Sequence, residues 1–262
     1  MSLGILSLPV LPVRSEPSER SELTTQLMFG EVFEILEVKD SWTMIRNQAD
    51  GYQGWVTSKM LTVISDDMKD RLLQLPTKVL REPITIFKAF SSEIFLPAGS
   101  RFYVKNNHYF HPVGPDLMKF TPQRVGLETT FPQSLSESVL QTALQFMNAP
   151  YLWGGKTILG MDCSGLTQVS ASINGFQLPR DASDQAQLGK EEFLSMSLPG
   201  DLAFFSNSEG RIVHVGLVCG QNKILHASSS VHIDDLDEQG IFSRELKKHT
   251  HQLHSIKRIF PS

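Results

Sequence analysis

Cysteine is scarce in this chain: Cys163 and Cys219 are the only two among 262 residues. A disulfide framework is therefore excluded, and a reducing cytoplasm is the expected compartment. No excess of basic charge is present either. The net charge of -4 gives no general pull toward nucleic acid or an anionic membrane surface. No apolar run approaches the roughly 20 residues that span a bilayer. The first 17 residues are mildly apolar but lack a basic n-region, and Pro9 and Pro12 interrupt them, so they read as mature protein and not as a signal peptide. What remains is an ordinary globular mixture, 40% hydrophobic and 20% charged, long enough for two or three domains.

Residues 1–65 read as short strands. Val32 to Val38 and Ser41 to Ile45 are β-rich runs, and Asp50-Gly51 is a hairpin signal, since both positions tolerate positive φ. Residues 66–130 keep that texture, with a short helix expected near Met68–Leu75. Strands are expected at Ile84–Phe87 and Arg101–Lys105, then a turn at Asn106-Asn107 and a return through Tyr109. Residues 131–262 change pattern. Ser134-x-x-Glu137 is a capping box opening a helix that Pro150 stops, and a second helix follows Asp162 up to Asn174-Gly175. Strands are then expected at 201–205, 212–219, 223–227 and 255–260. Helices first and an antiparallel sheet second make this an α+β domain.

Cys163 stands where a loop becomes a helix. A thiol there feels unsatisfied N–H groups and the positive end of the dipole, which favour its thiolate and suit an oxyanion. The plain alternative is an inert buried cysteine. His214 lies within Ile212–Cys219, where alternation puts it on one face with Gly216 and Val218. Val213, Val215, Leu217 and Cys219 share the other face, which reads as core. An imidazole beside a thiol acts as general base and later as general acid. His226 follows on the next strand, across the turn Gly220-Gln221-Asn222, and is the expected orienter of that base. His249, His251 and His254 lack a supporting carboxylate or cysteine cluster, so no metal or cofactor is expected. A Cys163–Cys219 disulfide is the competing idea and would abolish this chemistry.

Taken together, Tyr151-x-Trp153-Gly154-Gly155, Asp162-Cys163-Ser164-Gly165-Leu166, Pro199-Gly200-Asp201-Leu202 and His214-Val215-Gly216 resemble the NlpC/P60 family of papain-like cell-wall peptidases. The resemblance covers about residues 134–262 and implies a papain-like α+β core that hydrolyses peptidoglycan stem peptides. Residues 1–65 and 66–130 then look like two bacterial SH3-like barrels. The three-part order resembles bacterial γ-D-glutamyl-L-diamino acid endopeptidases, which recycle murein peptides carrying a free N-terminal L-alanine.

That resemblance implies site residues beyond Cys163, His214 and His226. Tyr151, Trp153, Asp162, Ser164 and Arg180 would line the cleft, with Tyr52, Tyr151 and Trp153 also open to packing roles. Arg180 is suited to fork onto the α-carboxylate of D-Glu or, alternatively, to make an internal salt bridge. Glu22 and Tyr52 would hold the substrate ammonium, with Glu16 and Glu19 competing for the acidic place. The expected partner is a murein tripeptide or related fragment, with neither nucleic acid nor membrane. The rivals are a secreted hydrolase of intact wall and a catalytically silent wall-binding protein; oligomeric state and the choice of diaminopimelate or lysine are not legible.

Overall fold

The computed structural model describes residues 2–89, 92–123 and 134–261. The chain divides into two compact units, Met1–Leu127 and Glu128–Ser262. The expected boundary at 130/131 lies outside the described residues.

In the first unit, a seven-stranded antiparallel sheet runs in the order Leu23–Met28, Val10–Arg14, Gln53–Thr57, Trp42–Asn47, Val32–Lys39, Leu3–Ile5, Thr62–Ile64. Trp42–Asn47 buries alternate residues, as a strand covering one core must. Leu11, Val13, Leu27, Phe33, Ile45 and Val56 form that core. The Asp50-Gly51 turn is built as expected: Gly51 has φ +73°, and the Asp50 side chain accepts from the Tyr52 N–H at 3.0 Å. A helix, Asp66–Leu73, starts two residues earlier than expected because Ser65 caps it, accepting from the Met68 N–H. It buries Met68 and Leu72 against Ile5 and Ile64.

A six-stranded sheet follows in the order Ser92–Pro97, Ile84–Ala89, Asp116–Pro122, His108–Val113, Arg101–Lys105, Thr77–Val79. Asn106 and Asn107 take φ of 51° and 59°, the paired left-handed conformations of a tight hairpin. The core of this sheet contains Phe87, Leu96, Phe102 and Phe120, joined by Phe29 from the first sheet's sequence. Phe29 reaches it because Gly30, at φ +80°, lets the chain pass against the Arg101 carbonyl, where a Cβ would come within 2.0 Å.

The second unit opens with the helix Leu135–Leu144, whose cap Ser134 accepts from the Glu137 N–H. This helix ends well before Pro150. Tight turns follow it, and the Asn148 N–H is given to the Val231 carbonyl, which commits the segment to the sheet. A second helix, Cys163–Ile173, is buried along its whole length and ends at Gly175, φ +84°.

The sheet of this unit closes on itself. Strands Leu202–Ser206, Ile212–Gly220, Lys223–Ala227, Val231–Asp237, Gly240–Ser243 and Lys248–Arg258 pair in order, and the last pairs with both Gly240–Ser243 and Leu202–Ser206. Inside lie Ala203, Phe205, Val218, Ile224, Leu236, Ile241 and Ile256. The Ile212–Gly220 strand is covered on both sides. Both faces of the strand's middle are buried, because a closed sheet has a filled interior and the Cys163–Ile173 helix covers its outside. The expected core face gives way at its ends: Val213 is 50% exposed, and Cys219 is only partly buried. The final strand starts at Lys248, seven residues before its expected start at Ser255, and so carries His249, His251 and His254.

Candidate active site

Cys163 is the first residue of its helix, and the residue before it organises the surroundings. Asp162 caps the helix by accepting from the Gly165 N–H at 2.6 Å and, through its other oxygen, from the Gly154 N–H at 2.8 Å. That second oxygen also takes the Arg180 guanidinium at 2.5 Å, while Arg180 Nη1 donates to Ser164 Oγ at 2.8 Å. All three side chains are buried, so the carboxylate and guanidinium neutralise one another where water cannot. Two glycines, one on each side of Cys163 in the sequence, are required by close approach. A Cβ on Gly155 would meet the Gly160 carbonyl at 2.4 Å, and one on Gly165 would meet the Gly155 carbonyl at 2.3 Å.

The Arg180 segment is held to the nucleophile helix by two amides that sequence reading did not single out. Gln168 Nε2 donates to the Leu178 carbonyl at 3.1 Å. The fully buried Gln185 donates to the carbonyls of Pro179 and Ser164 and accepts from Thr167 Oγ1 at 2.7 Å. Of the two roles open to Arg180, the structure shows the internal salt bridge.

The His214 strand meets the nucleophile through its backbone. The ladder to the His226 strand ends at Gly216–His226, and just beyond it the Val215 N–H, like that of Ser164, is close enough to the Cys163 sulfur to favour its thiolate. His226 lies opposite Gly216, one diagonal from His214, and the rings meet across it: His214 Nε2 is 2.9 Å from His226 Nδ1. His251, expected to be bland, stacks on His214 with ring centroids 4.2 Å apart. His232 and Asp234 complete the group beside His226. His251 was not legible because the closing strand reaches His214 only through long-range pairing; His232 and Asp234 were missed because Val231–Asp237, the strand that pairs with the His226 strand, was not read as one.

Burial sets the electrostatics. The Cys163 thiol, 6% exposed, is pushed up to about 11, first by desolvation and then by the Asp162 charge; the Val215 and Ser164 N–H groups and Arg180 pull it back only in part. Desolvation holds His214 well below the ordinary histidine range, with His251, His226 and His232 adding to it. The expected bias toward a thiolate is thus reversed in the free protein: loss of water around the sulfur outweighs the helix terminus. The thiol and the imidazole are both held toward their neutral forms. Both cysteines are free thiols, so the competing disulfide is not formed.

Tyr151 is coupled to this site, since burial and then the charges on Cys163 and Asp162 raise its phenol to about 12. It stays protonated and is a donor. Trp153 is 57% exposed, so it is available as an apolar surface and takes no part in the core. Glu22 and Tyr52 belong to the other unit. Glu22 is exposed beside the Ser15 N–H···Glu22 carbonyl bond, and Tyr52 is half-buried after the Asp50-Gly51 turn. Of the competing acids, Glu19 is paired with Arg14 at 3.2 Å.

The family model of the NlpC/P60 family matches residues 148–250, and that of the bacterial dipeptidyl-peptidase Sh3 domain matches residues 13–61. The gamma-D-glutamyl-L-lysine dipeptidyl-peptidase of Bacillus subtilis (strain 168) is 32% identical over 241 residues, 86% of this chain and 79% of that protein. Dipeptidyl-peptidase 6 of Lysinibacillus sphaericus is 30% identical over 86% of this chain and 88% of its own length. Among solved structures, an NlpC/P60 family protein from Bacillus cereus ATCC 10987 superposes with a TM-score of 0.82 at 18% identity, covering 99% of this chain and all of that one. A match of this extent to a relative above 30% identity, together with the shared fold, makes the chain a member of the NlpC/P60 family of cysteine peptidases.

Proposed function

We propose that the protein hydrolyses the γ-D-glutamyl to L-diamino acid bond of murein peptides that carry a free N-terminal L-alanine, in cytoplasmic recycling of cell-wall fragments. The observation that carries this reading is the pairing of a dipeptidyl-peptidase type Sh3 segment with an NlpC/P60 domain, in one chain aligned along most of its length with peptidases of that name.

In this reading His214 takes the Cys163 proton as the sulfur attacks the amide carbon. The same imidazole then protonates the leaving amine, and water hydrolyses the acyl-enzyme. The N–H groups at the start of the Cys163–Ile173 helix and the Tyr151 hydroxyl are donors for the oxyanion. His226 orients the base, while Arg180 and Ser164 keep Asp162, and through it the Gly154-Gly155 loop, in place. Trp153 supplies an apolar wall to the substrate.

Residues 1–65 act as an SH3-like module that reads the substrate's ammonium through Glu22 and Tyr52, and residues 66–130 form a second such module. A charge-assisted grip on an ammonium rejects a substrate that lacks the charge. The test compares L-Ala-γ-D-Glu-L-Lys and its diaminopimelate analogue with their N-acetylated forms. The expected result is a loss of several orders of magnitude in kcat/KM on acetylation. Equal rates on free and blocked peptides would favour cutting of intact wall.

A further inference from the structure

His226 uses one ring nitrogen on His214 and leaves the other buried. Nε2 of this fully buried ring has no hydrogen-bond partner, although Asp234 Oδ2 lies 3.5 Å from it. His232 Nε2 lies 3.3 Å from the same oxygen. His232 is itself oriented by its other nitrogen, since Nδ1 is 2.8 Å from the Ser230 carbonyl. A carbonyl can only accept, so Nδ1 carries the proton and Nε2 presents a lone pair toward a carboxylate oxygen. Two acceptors aimed at each other call for a positive charge between them. A backbone carbonyl fixing the tautomer of a histidine is also the usual support of a metal ligand.

We propose that His226, His232 and Asp234 form a site for a divalent cation of the zinc class, and that filling it switches off the catalytic base. The three ligand atoms lie within 4.8 Å of one another. Zinc binds nitrogen and carboxylate oxygen at about 2.0–2.2 Å, and two such ligands at a tetrahedral angle stand about 3.4 Å apart. The spacings of 3.5 and 3.3 Å to Asp234 Oδ2 match that arrangement. Access exists, because the His232 side chain is 30% exposed while His226 is closed off. Three protein ligands leave a fourth position for water.

The consequence for His214 follows from proton placement. Without the ion, His226 carries its proton on Nε2, toward Asp234, and Nδ1 accepts the Nε2–H of His214. The remaining His214 nitrogen then holds a lone pair for the thiol proton. With the ion on Nε2, the His226 proton must sit on Nδ1 and is donated to His214 Nε2. The His214 proton is displaced to its other nitrogen, where a base needs a lone pair. Hydrolysis stops without any ligand touching Cys163.

The switch rests on the base role proposed for His214, whereas the binding site does not, so binding is measured first. Zinc is titrated into the full chain carrying Cys163→Ala, against a chromophoric chelator. One ion per chain should bind, and His232→Gln, or Asp234→Asn as a second ligand variant, should weaken binding by more than the roughly 10–100-fold that loss of a mere supporting group costs. In the wild type, zinc should inhibit hydrolysis, EDTA should restore it, and the ratio of rates with and without zinc should rise toward one in His232→Gln. Three outcomes would overturn the site: zinc binding lost in Cys163→Ala, binding unchanged in both ligand variants, or no binding at all. In the last case His232 holds a proton, not a metal, against Asp234. Intact binding without inhibition would overturn the switch and leave the site.

Discussion

His214 Nε2 and His226 Nδ1 stand 2.9 Å apart with their rings at 90° to one another, both buried at the end of the closed sheet. One ring nitrogen of His214 is thereby committed to His226, and the other is left for the base role proposed above. Replacing His214 by Ala should cost at least the roughly 10²–10⁴-fold in kcat assigned to proton transfer, while His226→Ala should cost less. His226→Asn, which keeps an acceptor near His214, should recover part of the loss. Equal damage in both alanine variants with no rescue by Asn would contradict an orienting role.

The neutral resting pair makes a second expectation. With the Cys163 thiol at about 11, the alkylation rate by iodoacetamide should climb roughly tenfold per pH unit from pH 7 toward 10. An imidazolium–thiolate pair would instead react at a level rate across that range. Cys219 is less buried than Cys163, and burial raises its thiol to about 11 as well, so the measurement belongs in a Cys219→Ala background.

Much of this site was legible in the sequence because it is local. The loop-to-helix step at Asp162-Cys163 puts Cys163 at the start of its helix, and strand alternation brought His214, Gly216 and His226 into register. The Asn106-Asn107 hairpin and the Ser134 cap were legible for the same reason. What the chain does over long distance was not. His251 reaches His214 only because the last strand closes the sheet. Phe29 enters a core some 70 residues onward because Gly30 admits the Arg101 backbone. The partner of Arg180 was one of two alternatives, and only three-dimensional packing chose between them.

The Asp162–Arg180 pair gives a stability prediction. Asp162→Asn leaves a guanidinium buried and unmatched, which should cost about 3–5 kcal/mol in urea unfolding. Asp162→Asn combined with Arg180→Met should recover part of that loss. A change below about 1 kcal/mol in the single variant would contradict the buried clamp.

Acid should destabilise the protein before its carboxylates titrate. Burial holds His111 and His226 at about 3, against 6.5 for an unfolded chain. A lowered folded value means that the unfolded state binds protons first. The stability is therefore intact above pH 6.5 and is lost as pH falls toward 3, by about 1.4 kcal/mol per unit for each group. Thermal unfolding of the unit Met1–Leu127 should weaken between pH 7 and 5, and His111→Gln, which cannot titrate, should flatten that dependence. An unchanged slope in His111→Gln would contradict it.

Mass analysis of the products from L-Ala-γ-D-Glu-L-Lys, or from its diaminopimelate analogue, tests the central claim most directly. The wild type should yield the dipeptide L-Ala-γ-D-Glu and the free diamino acid, and Cys163→Ala should leave the substrate uncut. Release of free L-alanine, or turnover that survives in Cys163→Ala, would contradict it.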